Sequence, residues 1–128
     1  MTTVSRERIP TVGQERLTLE VSDCQGIPTV HCEGELDICT STWFQEIVEQ
    51  RLASHHSLIV DLTKVDLVDA HSWGLLIKFL KRAKKLGGNI CLVIAEGQNL
   101  VRRTFEITNL HTVFDHDPSL VVARQFLS

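Results

Sequence analysis

The chain has 128 residues, 43% of them hydrophobic and 23% charged, with a formal net charge of −3. Those proportions describe one ordinary globular domain with a single core, and a chain without basic excess argues against nucleic acid as a partner. No apolar run approaches the ~20 residues that a membrane span needs, and the first residues hold no apolar signal core, so the expectation is a cytoplasmic protein without membrane insertion.

In chain order, residues 1–16 are polar, contain Pro10 and Gly13 and show no periodicity, so they read as a flexible arm. Residues 17–128 read as the folded domain. Leu17 to Val21 alternates apolar and polar side chains, the pattern of a half-buried strand. Gly26 and Pro28 mark a turn, and Thr29 to Glu35 is a second strand that pairs with the first as a hairpin. Gly34-Glu35-Leu36-Asp37 ends it. Thr40, Ser41 and Thr42 offer N-cap hydroxyls, and Thr42 with Gln45 fits a capping box. The helix that follows places Phe44, Ile47, Val48 and Leu52 on one face.

Leu58 to Leu62 is a short apolar strand without alternation, as expected of a central strand covered on both faces. A short polar loop should then lead, at Asp69, into a helix from about His71 to Leu86. Leu76, Phe79, Leu80 and Ala83 make its inner stripe, and Lys78, Lys81, Arg82 and Lys85 make its outer one. Gly87-Gly88 stops it. Ile90 to Ala95 is a further buried strand. Leu100 to Leu110 is a third helix anchored by Val101, Phe105 and Ile107, Val113-Phe114 a last short strand, and Pro118 opens a helix in which Leu120, Val121, Ala123 and Leu127 can pack. Strands alternating with helices predict a single α/β domain, a mixed sheet with helices mainly on one face.

The cysteines are Cys24, Cys32, Cys39 and Cys91, with no C-x-x-C pair. Cys32 and Cys91 lie in apolar strand patterns and read as buried thiols. A disulfide framework is not expected in a cytosolic domain of this size. His31, His55, His56, His111 and His116 have no metal-ligand spacing, so neither a metal nor a cofactor is expected.

Several spaced signals together resemble the STAS domain, the fold of bacterial anti-sigma-factor antagonists. Gly34-Glu35-Leu36-Asp37 with Thr40 is similar to the family's G-E-L-D-x-x-T. Val65-Asp66-Leu67-Val68-Asp69 is similar to its V-x-F-h-D, where h is apolar, and Gly74-Leu75-Leu76 to the helix turn after it. Lys81 with Gly87-Gly88, Val101-x-Arg103, and Asn109-Leu110 with Phe114 resemble its later signatures. In that family the Asp is followed by Ser-Ser-Gly or Ser-Thr-Gly, whose second hydroxyl is phosphorylated by an anti-sigma-factor kinase. The equivalent position here is His71, preceded by Ala70 and followed by Ser72. Ser72 is the nearest hydroxyl, displaced by ~100° around the helix.

The resemblance implies a non-catalytic regulatory module for transcription and stress response. It would bind an anti-sigma factor with a kinase-like ATP-binding fold and release a sigma factor without serine phosphorylation at the usual position; a homodimer is compatible with this. An alternative is a STAS subunit of a lipid-transport complex or stress-sensing scaffold. The implied partner-binding residues are Glu35, Asp37, Thr40, Asp69, His71, Ser72, Trp73 and Gly74. Asp37 could instead be only a turn residue and Asp69 only an N-cap. Trp73 is either an inward-packing residue or an aromatic anchor for a partner. An enzyme using His71 and Ser72 would need an orienting group that the sequence does not offer.

Overall fold

The computed structural model describes residues 4–9, 16–24 and 26–127. Six strands form one sheet in sequential order: β1 (Val4–Ile9), β2 (Leu17–Cys24), β3 (Ile27–Leu36), β4 (Leu58–Val68), β5 (Ile90–Val93) and β6 (Asp115–Asp117). The pairs β1–β2 and β2–β3 are antiparallel, and β3 to β6 run parallel. The helices are α1 (Ser41–Ser54), α2 (Ala70–Lys85), α3 (Asn99–Ile107) and α4 (Leu120–Leu127), with a single 3-10 turn at Leu110–Thr112. No described helix is long and apolar enough to cross a membrane.

The expected flexible arm contains β1, while the rest of residues 1–15 lies outside the described residues. The sequence Val-Ser-Arg-Glu-Arg-Ile carries no clear apolar alternation to signal a strand, and its backbone pairs with β2 at the sheet edge, where charged residues are common.

The main core lies between one sheet face and α1, α2 and α3. Phe44, Phe79 and Phe105, one from each helix, are almost wholly buried there. Phe44 meets Phe79 edge-on at 6.5 Å, tying α1 to α2, and Trp73 stacks on Phe105 at 5.5 Å and 27°, tying α2 to α3. Each such ring contributes about 1.5–3 kcal/mol by leaving water. The opposite face holds a smaller cluster, Ile59, Cys91 and Val93 beneath Ala123, Leu120 and Leu127 of α4. The absence of alternation in Leu58–Leu62 and Ile90–Ala95 follows: both faces of these strands are covered. Burial pushes the Cys91 thiol up to about 12, and that of Cys32 higher still.

Several boundaries differ from expectation. β4 does not stop at Leu62 but runs to Val68, past the point where β5 ends. The missing neighbour is replaced by Gln98, whose amide donates to Leu62 O at 2.6 Å and Val65 O at 2.8 Å and accepts from Ala95 N at 2.6 Å. The capping box at Thr42 does not form, because α1 begins two residues earlier, with Thr40 at the N-cap. α3 ends at Ile107, as Asn109 takes the left-handed conformation that stops a helix. Ile107 and Val121 were expected to pack, yet are 69% and 62% exposed. Each lies two residues, ~200°, around its helix from a buried neighbour, Phe105 or Ala123. The last strand is Asp115–Asp117 rather than Val113-Phe114, because the 3-10 turn uses Val113 and Phe114 to close on Leu110.

Glycines act at two places, the crossing of β3 with β2 and the far end of α2. At Gly34, φ is +114° and a Cβ would lie 2.0 Å from Arg16 O. Only glycine lets β3 pass under the start of β2 there. Gly87 and Gly88 close α2 with Gly87 N–H to Lys84 O and Gly88 N–H to Ala83 O, a Schellman turn.

Candidate functional site

The ends of β3 and β4 lie side by side, with Asp69 N–H donating to Leu36 O at 3.1 Å. The two loops leaving them form one knuckle. Asp69 holds it together with both carboxylate oxygens. Oδ1 accepts the N–H of Ser72 at 2.8 Å and so caps α2; Oδ2 accepts the N–H of Ile38 at 3.0 Å, fixing the loop before α1. Asp69 is thus a cap and a cross-loop clamp at once.

Asp37 organises the other loop. Its Oδ1 accepts from Cys39 N at 2.8 Å and Thr40 N at 3.1 Å, an Asx-type turn. Arg16 reaches both Asp37 and, at 2.8 Å, Glu35. Burial alone would push the Asp37 carboxyl up, but Arg16 and these backbone N–H groups hold it below the usual carboxylate range. Thr40 is 1% exposed. Its hydroxyl donates to Glu35 O at 2.9 Å and accepts from Asp37 N at 3.0 Å. Thr40 therefore shapes the loop from inside and offers no surface to a partner.

Four sequence candidates on α2, His71, Ser72, Trp73 and Gly74, point inward or outward according to helix phase. Ser72 is fully buried, and its Oγ is enclosed without a hydrogen-bond partner. In this conformation the hydroxyl of the displaced-acceptor candidate has no exposed surface. Trp73 is 4% exposed, stacks on Phe105 and donates Nε1–H to Thr104 Oγ1 at 3.4 Å. The reading of Trp73 as an exposed anchor is corrected: it is a core residue, because it shares the inner stripe with Leu76 and Leu80. Ala70, His71 and Gly74 face solvent. His71 borders a shallow depression with Gln45, Gly74, Leu75 and Lys78, and a Cβ on Gly74 would meet open space.

The knuckle's exposed surface also includes residues that the sequence reading passed over. Ile38 is 63% exposed at the loop tip, with Cys39 exposed beside it. An aliphatic side chain in the short stretch between Asp37 and Thr40 was the available signal, since a turn that tight has no room to fold it inward. Arg16 was assigned to the arm, and its pairing with Glu35 and Asp37 appears only when β2 crosses β3 at Gly34.

A second polar constellation lies across the sheet, on the face that carries α4. Ser22 Oγ is 2.9 Å from His31 Nε2, and His31 Nδ1 is 2.8 Å from Asp61 Oδ2. Thr63 donates to Asp61 Oδ1 through both N–H and hydroxyl. Burial pushes the Asp61 carboxyl up, but the bonds from His31 and Thr63 outweigh it and hold it below the usual range. The spacing is that of nucleophile, base and orienting carboxylate, but Ser22 is 3% exposed. What the geometry does is cross-link β2, β3 and β4. Among the described residues no group of His, Cys, Asp and Glu is arranged to hold a metal.

A family model for the STAS domain matches residues 18–123. No curated protein sequence matches the chain. Among solved structures, an anti-sigma factor antagonist from Mycobacterium paratuberculosis superposes with a TM-score of 0.78 at 23% identity, over 87% of this chain and 93% of that one. A protein from Thermotoga maritima described as a putative anti-sigma factor antagonist gives 0.67 at 21% identity, over 77% and 86%. The phosphorylated form of the Bacillus cell-fate determinant SpoIIAA gives 0.61 at 11% identity, over 84% and 96%. At these identities the likeness is one of fold.

Proposed function

Since the chain belongs to the STAS-domain family, we propose that it is an anti-sigma-factor antagonist that uses the Asp37–Asp69 knuckle to engage an anti-sigma factor of kinase-like ATP-binding fold and free a sigma factor. The observation that carries this is the double engagement of the Asp69 carboxylate. It locks the loop before α1 to the start of α2, and so presents Ile38 and His71 on one preorganised surface. A rigid surface with an aliphatic tip loses little conformational freedom on binding, which is what an interface anchor requires. No chemistry on a substrate is needed for the role.

Serine control at the family's usual position is absent in this reading. Between Asp69 and Gly74 the one hydroxyl is that of Ser72, which is enclosed. The antagonist then binds constitutively, or answers to something other than a serine kinase. The test is a calorimetric titration against the anti-sigma factor of the same organism, followed by incubation with that protein and ATP. Binding by the wild type, lost in His71→Glu and kept in His71→Ser, with no phosphate on Ser72 by mass spectrometry, supports the reading. Unchanged binding by His71→Glu removes position 71 from the interface, and stoichiometric phosphate on Ser72 shows that α2 opens to expose it.

A further inference from the structure

The knuckle accounts for the first turn of α2 and leaves the charge of the remainder unexplained. In its 16 residues α2 has no carboxylate and five cations, Lys78, Lys81, Arg82, Lys84 and Lys85. The whole chain has a net charge of −3, so everything outside this helix is distinctly acidic. All five cations are exposed. Among the described residues none of them makes an ion pair.

Arg82, Lys84 and Lys85 sit in the last turn, where they meet the negative end of the helix dipole. Lys78 and Lys81 lie further back and have no such role. They also face like charges at helical spacing: Lys78 with Lys81 and Arg82, and Lys81 with Lys84 and Lys85. Such pairs weaken a helix, whereas a purely solubilising face would alternate cations with carboxylates. The repulsion is relieved when an anionic surface lies against the ridge.

The shape fits one kind of anion. Lys78, Lys81, Arg82 and Lys85 rim a shallow groove between α1 and α2 with Ile77 and Phe79 among its lining; the α1 side contributes one carboxylate, Glu49, which accepts from the Gln45 amide at 3.2 Å, so the four cations outnumber it. At Gly74 and Lys78 this groove joins the depression beside His71. From His71 to Lys85 the helix rises ~21 Å, the length of a four-turn helix. A large uniform polyanion would meet the acidic remainder of the chain and be repelled, but a narrow acidic segment would meet only the ridge.

We propose that the α1–α2 groove is a docking track for an acidic amphipathic helix of the partner protein, its carboxylates against Lys78, Lys81, Arg82 and Lys85 and its apolar face toward Ile77. This rests on the partner-binding reading above and assigns the partner its chemistry: an acidic face adjoining the surface that receives the knuckle. Electrostatic complementarity of this kind acts mainly on association rate.

The experiment has two parts, run on the full chain, on Lys78→Glu/Lys81→Glu and on Lys78→Gln/Lys81→Gln, each checked for a thermal midpoint no lower than that of the wild type, since relief of the like-charge pairs should if anything raise it. First, a synthetic Leu/Glu amphipathic helix of roughly 16 residues is titrated into the isotopically labelled chain, with phosphatidylglycerol vesicles and a DNA duplex as parallel probes. Amide shifts confined to α2 and the facing side of α1 are expected, with affinity falling about tenfold in the Glu variant and with salt raised from about 50 to about 300 mM. Shifts elsewhere, no binding, or tighter binding to vesicles or duplex overturns the proposal. Second, association with the anti-sigma factor is followed by stopped flow, where the Glu variant should be about tenfold slower and the Gln variant intermediate. Binding at an unchanged rate overturns the docking track and leaves the antagonist reading standing. If the wild type does not bind the anti-sigma factor at all, the antagonist reading fails, and the peptide titration still decides the groove.

Discussion

Replacing Asp69 separates two roles that one carboxylate performs. In Asp69→Ala both hydrogen bonds go: the cap on Ser72 N–H at 2.8 Å and the clamp on Ile38 N–H at 3.0 Å. Loss of an N-cap costs about 0.5–2 kcal/mol. A hydrogen bond to a charged group is worth about 1.5–3 kcal/mol, less where the freed N–H can find water. Ile38 is at the surface, so the lower end applies to the clamp, and the total expected is about 2–3 kcal/mol. Asp69→Asn is the informative control. Asn caps a helix as well as Asp, but its second terminal atom is an NH2 group that cannot accept from Ile38. Its cost should be confined to the clamp, about 1–2 kcal/mol. Urea unfolding midpoints at constant slope give both stabilities, and amide hydrogen exchange at Ile38 and Ser72 assigns the losses. Asn should unprotect Ile38 and spare Ser72, whereas Ala should unprotect both. If Ile38 exchanges at the same rate in wild type and Asn variant, the two loops are not clamped by Asp69 and the preorganised knuckle is wrong.

Gly34→Ala should be among the most damaging single-methyl additions in this chain, because its Cβ would fall 2.0 Å from Arg16 O at a φ of +114°. A loss of about 3 kcal/mol or more, or failure to fold, is expected in denaturant titration; a loss under about 1 kcal/mol would mean that the β2–β3 crossing is slack. Asp61 makes stability acid-sensitive. Its folded-state carboxyl lies below the ordinary aspartate range, so its contribution is fully present above that range and is lost as pH falls from there through the lower folded value. Asp61→Asn should therefore be less stable than wild type at neutral pH, with the gap closing under acid. Parallel stability curves for the two proteins across that range would show that His31 and Thr63 do not favour the charged carboxylate.

Much of the site's chemistry was legible in residue types and spacing. Asp69 before a helical pattern reads as a cap, and Asp37 three residues before a run of hydroxyls reads as a turn former; both expectations rest on local backbone geometry, which neighbouring residues dictate. Facing was harder. His71, Ser72 and Trp73 are consecutive, so which of them meets solvent depends on where α2 begins and how it rotates against Phe105. A one-residue change in the start turns the stripe by ~100°. For that reason the sequence leaves Trp73 open between core and surface and shows Ser72 only as the nearest hydroxyl, rotated from the usual position; its enclosure is visible only in the packed structure.

Sequence by itself determined the succession of strands and helices from β2 onward, the stop at Gly87-Gly88, the inner and outer stripes of α2, and the buried pattern of the central strands. Each follows from side-chain periodicity or from a backbone conformation that few residues tolerate. Tertiary structure alone decided that β1 joins the sheet edge, that β4 continues to Val68 with Gln98 standing in for a strand, and that Arg16 reaches Glu35 and Asp37. The same holds for the chain from Ser22 through His31 to Asp61, whose residues share no local pattern. These contacts join segments far apart in sequence, and their energy exists only once β2, β3 and β4 lie in register.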